Sequence, residues 1–464
     1  MKCLLVLLAM GVSGVPTKDG LLPFGLPQPA SKGLTTGDLK IAFLAPLRHL
    51  NPESGHCEAV CEEGLDLAEV AVFAAKRANE EILNGTGVSI GLQIMDSCPG
   101  MAKILTNLML PMAEEAECPL SKIQFRPSSR TATTIGIVGL DTPQQIQEYR
   151  DFAMHFNIPA ISYRAASTTL EAKDKLPFLF RSTPCDSKLY AAMARQINTM
   201  APSALGVVVE DSDYGRRGKD VISRELTEKG ILNVRYELIP AVPEQEDVIK
   251  AVSNLVAVPG ASLLAFVVSD GITATIMDGL SAMDGALLRP IIGPGGFGNY
   301  LNISNAKRFE NMVVVRHTLN PMPGFDGYYR GLCEKGGNTP WWHEKWEALG
   351  EAQLSERRIQ CHQTVPEKPQ FHFAANAIYS LAHALRRFVV TSCSAAEKSA
   401  CAQYLEQCWA RESLIGHLRT VNFNPMGADA NQRFTFDRNQ DVEPNYEMVQ
   451  LKVRSSIVQW DATL

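Results

Sequence analysis

Ile158-Pro159-Ala160-Ile161-Ser162-Tyr163-Arg164-Ala165-Ala166-Ser167 is the stretch on which the fold turns, together with Arg181-Ser182-Thr183-Pro184-Cys185-Asp186 further on. The first is a short apolar strand that stops in a loop of small and polar residues. The second is another strand, which runs into an acidic helix start. In open α/β sheets, ligands bind just past the carboxyl ends of strands, where such loops stand. The pair has the form of a hinge between two lobes and points to binding rather than catalysis.

On the amino-terminal side of this hinge the chain alternates. Leu39–Leu47 reads as a buried strand. Gly64–Leu83 reads as an amphipathic helix with Leu67, Val70, Ala71, Ala74, Ala78 and Ile82 on one face. Strand Val88–Asp96, helix Met101–Ala113, strand Thr134–Leu140, helix Gln144–Phe156 and strand Pro159–Tyr163 follow. Beyond Asp186 the pattern restarts with helix Ser187–Met200, strand Ser203–Glu210, helix Tyr214–Lys229 and strand Leu232–Ile239. Helix Glu246–Val256, strand Ala261–Val268, helix Thr273–Met283, strand Arg289–Gly293 and strand Met312–Thr318 complete it. Strands alternating with helices at this spacing give mainly parallel sheets with right-handed crossovers. Helix Phe371–Phe388 and the segment Leu414–Val453 have no partner in the second unit and are assigned to the first. Gly324–Pro369 reads as irregular.

A chain of 464 residues is too long for one hydrophobic core. Its net charge of -6 and the lack of any Lys/Arg run exclude a nucleic-acid face. Met1-Lys2, an apolar run from Cys3 to Val12, and Ser13-Gly14 read as a secretory signal peptide. That run is too short to span a bilayer, and no later stretch reaches the length of a membrane helix. Secretion places the remaining cysteines in an oxidising compartment, where several are expected to pair. Asn84-Gly85-Thr86 and Asn302-Ile303-Ser304 are glycosylation sequons that agree with a secreted exterior.

Motifs for catalysis fail on context. Gly87-Val88-Ser89-Ile90-Gly91 fits a nucleophile elbow in letters, but Ser89 opens a strand instead of following one. Gly293-Pro294-Gly295-Gly296-Phe297-Gly298 fits a dinucleotide fingerprint, but it lies late in the chain, and Arg316-His317-Thr318 stand where its acid belongs. The histidines and cysteines have no metal-ligand spacing. No enzyme, cofactor or metal is expected. Thr142 precedes a helix whose free N–H groups suit a carboxylate, although, taken alone, a plain N-cap role accounts for it better. The Ala165-Ala166-Ser167 loop offers further N–H groups. Asp186 stands at a helix start, where the dipole stabilises a carboxylate. Tyr214 begins a helix beyond a buried strand, and its ring can cover an ammonium. Such a set suits a zwitterion.

At these residues the chain resembles the extracellular ligand-binding (Venus flytrap) domain of metabotropic glutamate receptors, within class C G protein-coupled receptors. The resemblance runs from about Leu39 to Val453. It rests on Asp96-Ser97-Cys98, Ile158–Leu170, Asp186, Asp213-Tyr214-Gly215, Asn338-Thr339-Pro340-Trp341-Trp342, Asn376–Leu385, and Phe434-Thr435-Phe436-Asp437 with Tyr446-Glu447-Met448. It implies an α/β, two-lobed periplasmic-binding-protein-like fold, each lobe a mainly parallel sheet flanked by helices. The expected order is signal peptide 1–14, linker 15–37, lobe 1 at 38–183 with return segment 370–455, lobe 2 at 184–318, irregular crossover 319–369 and tail 456–464. The resemblance further implies a small amino-acid-like ligand between the lobes, signalling by lobe closure, and a homodimer. The location is secreted or on the outer face of the plasma membrane, with membrane contact only through a region absent from this chain.

Carried over by position, Thr142 falls where a hydroxyl holds the ligand carboxylate, and Asp186 and Tyr214 where residues meet the α-amine. Arg164 replaces the hinge-loop serine, and Ala166 the threonine two places on. Gly295 stands where the family has an acid. Leu67 and Gln370 stand where basic residues grip a side-chain carboxylate. An uncharged pair cannot offset the desolvation of a second carboxylate, which argues against glutamate. Arg164 either clamps an acidic group or fills the cleft. The resemblance also implies that Cys57 or Cys61 pairs with Cys98, and Cys393 with Cys401. Cys118 matches an inter-subunit disulfide position, with an intrachain bond to Cys61 as the alternative. Cys333 with Cys361 is a further pairing, and Cys185 a buried thiol. The alternatives are a soluble decoy or dimerisation module with a degenerate cleft, and the ectodomain of another receptor type such as a receptor guanylate cyclase.

Overall fold

The structure, a computed structural model, describes residues 36–462 except 52, 99, 102–103, 106–107, 109–132, 172–173, 286–288, 301–306, 336–364, 366–367, 394–407 and 455–456. In chain order β1 (Leu39–Ala45), β2 (Arg48–Leu50), β3 (Cys57–Val60), α1 (Glu62–Glu81), β4 (Ile90–Asp96), β5 (Thr133–Val138), α2 (Pro143–Phe156), β6 (Ala160–Ser162) and β7 (Leu179–Arg181) come first. Then follow α3 (Asp186–Met200), β8 (Ala204–Asp211), α4 (Asp213–Glu228), β9 (Val234–Pro240), α5 (Gln245–Val256), β10 (Ala261–Val267), α6 (Thr273–Ala282), β11 (Ile291–Pro294) and β12 (Val313–His317). The chain ends with α7 (Phe325–Lys335), α8 (Pro369–Ser392), α9 (Cys408–Leu418), β13 (Asn422–Phe423), β14 (Phe434–Thr435), β15 (Tyr446–Arg454) and β16 (Ile457–Ala462).

Two compact units result. One takes the described residues within Met1–Ala165, Ala172–Thr183 and Asn320–Asp441; the other takes those within Ala166–Glu171, Pro184–Leu319 and Val442–Leu464. The first unit holds a five-stranded sheet in the order β4-β1-β5-β6-β7, parallel throughout. Its strands are apolar runs because a parallel sheet is covered on both faces. β1 is buried along almost its whole length. Gly136 of β5 lets α8 approach closely, since a Cβ there would stand 3.0 Å from Leu381. α1 docks beside α8, where Tyr379 Oη donates to Glu81 Oε2 at 2.9 Å.

The second unit holds a seven-stranded sheet in the order β16-β15-β12-β11-β10-β8-β9. β10 shows how it is covered. Leu264 and Phe266 enter the core under α5 and α6, while Leu263, Ala265 and Val267 enter the core under α3 and α4. Alternation along one strand thus serves two helical layers. Each fully buried Leu, Val or Phe contributes roughly 1.5–3 kcal/mol of transfer free energy.

Two expectations are corrected. Leu414–Val453 does not lie wholly in the first unit, because β15 pairs antiparallel with β12, from Val313 opposite Gln450 to His317 opposite Tyr446. Val449 and Leu451 bury in the second core. Gly324–Pro369 is not irregular throughout, since Phe325–Lys335 is helical and residues 336–364 lie outside the described chain. Gly327 and Gly331 weaken the local signal, and packing overrides them. Phe325 meets Phe73 with ring centroids 5.3 Å apart, and Tyr328 and Tyr329 donate to Glu69 at 2.8 Å and Asp66 at 2.7 Å. Of the expected helix Met101–Ala113, the described residues Met101, Ile104, Leu105 and Leu108 are helical and buried.

Candidate functional site

In the first unit the candidate residues stand at the carboxyl ends of β5 and β6. The turn out of β5 is tight. Gly139 has φ +138°, and a Cβ there would lie 2.5 Å from Leu44 Cβ. Leu140 follows with φ 63°, a left-handed conformation that costs a non-glycine residue about 1–3 kcal/mol. Ser162 holds this turn by donating from Oγ to Leu140 O at 2.9 Å, and the same Oγ accepts from Ala165 N at 2.9 Å. One buried hydroxyl thus binds the β5–α2 turn to the hinge loop. Thr142 is the N-cap of α2, its Oγ1 accepting from Gln145 N at 3.2 Å, with Pro143 at the first helical position. Its hydroxyl proton remains available for a ligand, and the side chain is exposed.

Charge gathers around this turn. Arg164 Nη2 lies 3.2 Å from Glu63 Oε1, and Lys368 Nζ lies 2.8 Å from Glu63 Oε2. Glu63 therefore bridges two cations carried on two different segments. Beside them, burial raises the Asp141 carboxyl to about 6, against the opposing pull of Arg164 and of the Tyr163 and Ser97 hydroxyls. Asp141 Oδ1 is buried and accepts no hydrogen bond among the described residues. Leu67 is fully buried in α1, and Gln370 is half-buried at the start of α8.

In the second unit Asp186 is the first residue of α3, with Cys185 as its N-cap, so Asp186 is not itself the cap. Its backbone N donates to Ala166 O at 2.9 Å. Glu171 serves the helix start instead, its Oε1 accepting from Ser187 Oγ at 2.8 Å and Cys185 Sγ at 2.7 Å. Tyr214 is the second residue of α4 and lies beside Tyr190, with ring centroids 6.0 Å apart. Burial, then the charge of nearby Asp186, pushes the Tyr214 hydroxyl far up. The same two causes lead the rise at Tyr446. Asp186, Tyr190, Tyr214 and Tyr446 are thus one cluster of an acid with three rings. Gly295 opens a short 3-10 helix after β11, where a Cβ would meet Arg316 Cβ at 3.1 Å. Arg316 is paired there with Glu447 at 2.7 Å.

Among the cysteines, Cys57 and Cys98 form a disulfide with Cα atoms 6.0 Å apart, so Cys57 and not Cys61 is the partner of Cys98. Cys61 and Cys185 are buried thiols outside any disulfide. Cys393 and Cys333 are disulfide-bonded. Cys118, Cys361, Cys401 and Asn302 lie outside the described residues. Asn84 is exposed, and Thr86 of its sequon is buried, donating to Leu83 O at 2.6 Å. Ser89 donates its hydroxyl to Asp38 Oδ2 at 2.7 Å. Among the described residues no group of His, Cys, Asp and Glu is placed to hold a metal ion, and no helix is long and apolar enough to cross a membrane.

Sequence reasoning missed Glu63, Lys368, Asp141, Ser162 and Tyr446. The signal for Asp141 and Ser162 was present, since both stand at strand ends beside Thr142 and Arg164. Glu63 and Lys368 gave none, because each is an ordinary surface-type residue until the fold joins them.

A family model described as "Receptor family ligand binding region" matches residues 67–454. The chain is similar to metabotropic glutamate receptor 8 of Rattus norvegicus, Homo sapiens and Mus musculus. Each is 21% identical over 456 residues, covering 91% of this chain and 49% of the relative. The chain spans about half the length of these curated relatives.

Proposed function

The chain belongs to the receptor family ligand binding region, a periplasmic-binding-protein-like fold, and from that premise we propose that it binds a small amino-acid-like ligand outside the cell. The observation that carries this is that Asp186 and Tyr214 both stand in the first turn of a helix in the second unit, close enough for the Asp186 charge to act on the Tyr214 hydroxyl. An acid beside aromatic faces suits an ammonium. In the first unit the Thr142 hydroxyl and the N–H groups at the start of α2 suit a carboxylate. Binding that engages both sets couples the units, with lobe closure as the output to a membrane region and a homodimer as the working form. The receptor relatives, which carry glutamate in their names, support an amino-acid class of ligand. The side-chain subsite differs from what glutamate needs, because Leu67 is buried and both Arg164 and Lys368 are already engaged by Glu63.

Titration calorimetry of the secreted chain with the L-amino acids tests the proposal. The expected result is saturable binding of one or a few uncharged amino acids. It weakens at least tenfold in Asp186→Ala and several-fold in Tyr214→Ala, while thermal unfolding stays unchanged. The absence of saturable heat for every amino acid overturns the proposal, as does binding indifferent to Asp186→Ala.

A further inference from the structure

A second candidate site lies in the first unit, apart from the residues of the amino-acid site. A cavity of about 400 Å³ is walled by Pro177, Arg419, Phe436, Asp437, Arg438 and Gln440. At about 30 Å³ per water in the liquid, this is far more than one ion needs. Arg419 follows α9, and Arg438 sits in the turn after β14, so two separate segments bring guanidinium groups to one cavity. Both arginines are exposed, and neither makes an ion pair among the described residues. Arg419 Nη2 reaches only Pro177 O, at 3.5 Å. Asp437 opposes them with one carboxylate, but its Oδ1 is occupied by Asn439 N at 2.8 Å and Asp441 N at 3.0 Å. Two guanidinium groups against one carboxylate leave the wall net positive.

The floor is apolar and fixed. Phe436 packs on Phe180 and Phe434 with centroids 5.0 and 5.2 Å apart. Gln440 is 6% exposed, and its Nε2 donates to Pro177 O at 3.2 Å. That bond fixes the amide orientation, since the flipped form would set two acceptors together. Its Oε1 then accepts no hydrogen bond among the described residues, and a buried acceptor without a partner is uncommon enough to ask for one. Gln440 is itself held, because its carbonyl accepts from Arg181 N at 2.9 Å.

We propose that this cavity is a second ligand site, taking a small organic carboxylate whose ring or chain lies on Phe436 and Pro177. Arg419 and Arg438 hold the carboxylate, as guanidinium groups do in bidentate fashion. The apolar floor sets the class as an organic acid rather than an inorganic anion. The site stands on residues that the amino-acid reading does not use, so it survives or fails independently of that reading.

Calorimetric titration of the secreted chain with 4-hydroxyphenylacetate, phenylacetate and inorganic phosphate tests this. Both aromatic acids are expected to bind saturably, and phosphate more weakly than either. Arg438→Gln and Arg419→Gln each weaken 4-hydroxyphenylacetate at least fivefold, and both arginines are exposed enough for the variants to fold. Tyr214→Ala leaves this binding unchanged. Three results overturn the proposal: no saturable binding of either aromatic acid, phosphate binding tighter than both, or binding that persists in the Arg419→Gln, Arg438→Gln double variant.

Discussion

Asp141 and Glu63 decide the electrostatics of the first unit, and both give measurable consequences. Burial lifts the Asp141 carboxyl from its ordinary 3.8 to about 6. A raised folded-state value means that its contribution to stability is fully present below about pH 3.8 and is lost as pH rises through 6. Asp141→Asn is therefore expected to be more stable than the parent above pH 6 and no different near pH 4. Chemical denaturation across that range checks it, and a difference independent of pH contradicts it. Glu63 pairs with Arg164 and Lys368 at once and offsets one of their two charges. Glu63→Gln leaves two uncompensated cations beside the hinge loop, so it is expected to raise affinity for acidic amino acids relative to uncharged ones. The pairs are partly exposed, and a gain of about fivefold, or ~1 kcal/mol, is the scale to expect. Competition between L-glutamate and L-glutamine reads it directly; an unchanged ratio contradicts it.

At the scale of elements, a single ion pair anchors the end of the first unit. Arg181 of β7 is fully buried, with Nε 2.7 Å from Asp441 Oδ1 and Nη2 2.5 Å from Oδ2. Asp441 ends one segment of that unit, and Arg181 lies near the end of another. Removing one partner strands a buried charge, so Asp441→Ala is expected to cost ~3–5 kcal/mol. Arg181→Met with Asp441→Leu removes both charges and costs clearly less. Urea unfolding of the two variants separates these outcomes, and equal losses would contradict the account. The elements that sequence placed well are those whose signal is local. β1, β5, β8 and β10 are apolar runs that only a doubly covered parallel sheet accepts, and the caps at Thr142 and Ser212 mark their helices within a residue. β15 was misplaced because its residues suit any sheet, and its partner β12 lies more than a hundred residues earlier. α7 was missed because tyrosine–carboxylate bonds to α1 hold a glycine-bearing helix. The Glu63 bridge was illegible for the same reason of distance, while Thr142, Arg164, Asp186 and Tyr214 were legible because strand ends advertise them.

At the scale of the whole molecule, the three histidines with the largest downward shifts among the described residues lead the response to acid. Burial lowers His317, His372 and His383 from 6.5 to about 4, helped at His383 by Arg386. A lowered histidine contributes stability that is present above pH 6.5 and lost as pH falls toward 4. Three such groups outweigh the opposite trend of Asp141, so the chain is expected to lose stability steadily between pH 6.5 and 4. Melting temperatures over that interval check it, and a flat or rising profile contradicts it. The proposed function draws on residues of each unit. The first supplies a hydroxylated helix start, and the second an acid with aromatic faces. The most direct measurement works on the ligand side: the affinity of the best-binding amino acid against its N-acetyl and its carboxamide derivatives. Loss of at least tenfold with either derivative is predicted, because each removes the charge that one unit is built to meet. Undiminished binding of the N-acetyl form would contradict the role of Asp186 and Tyr214, and with it the account.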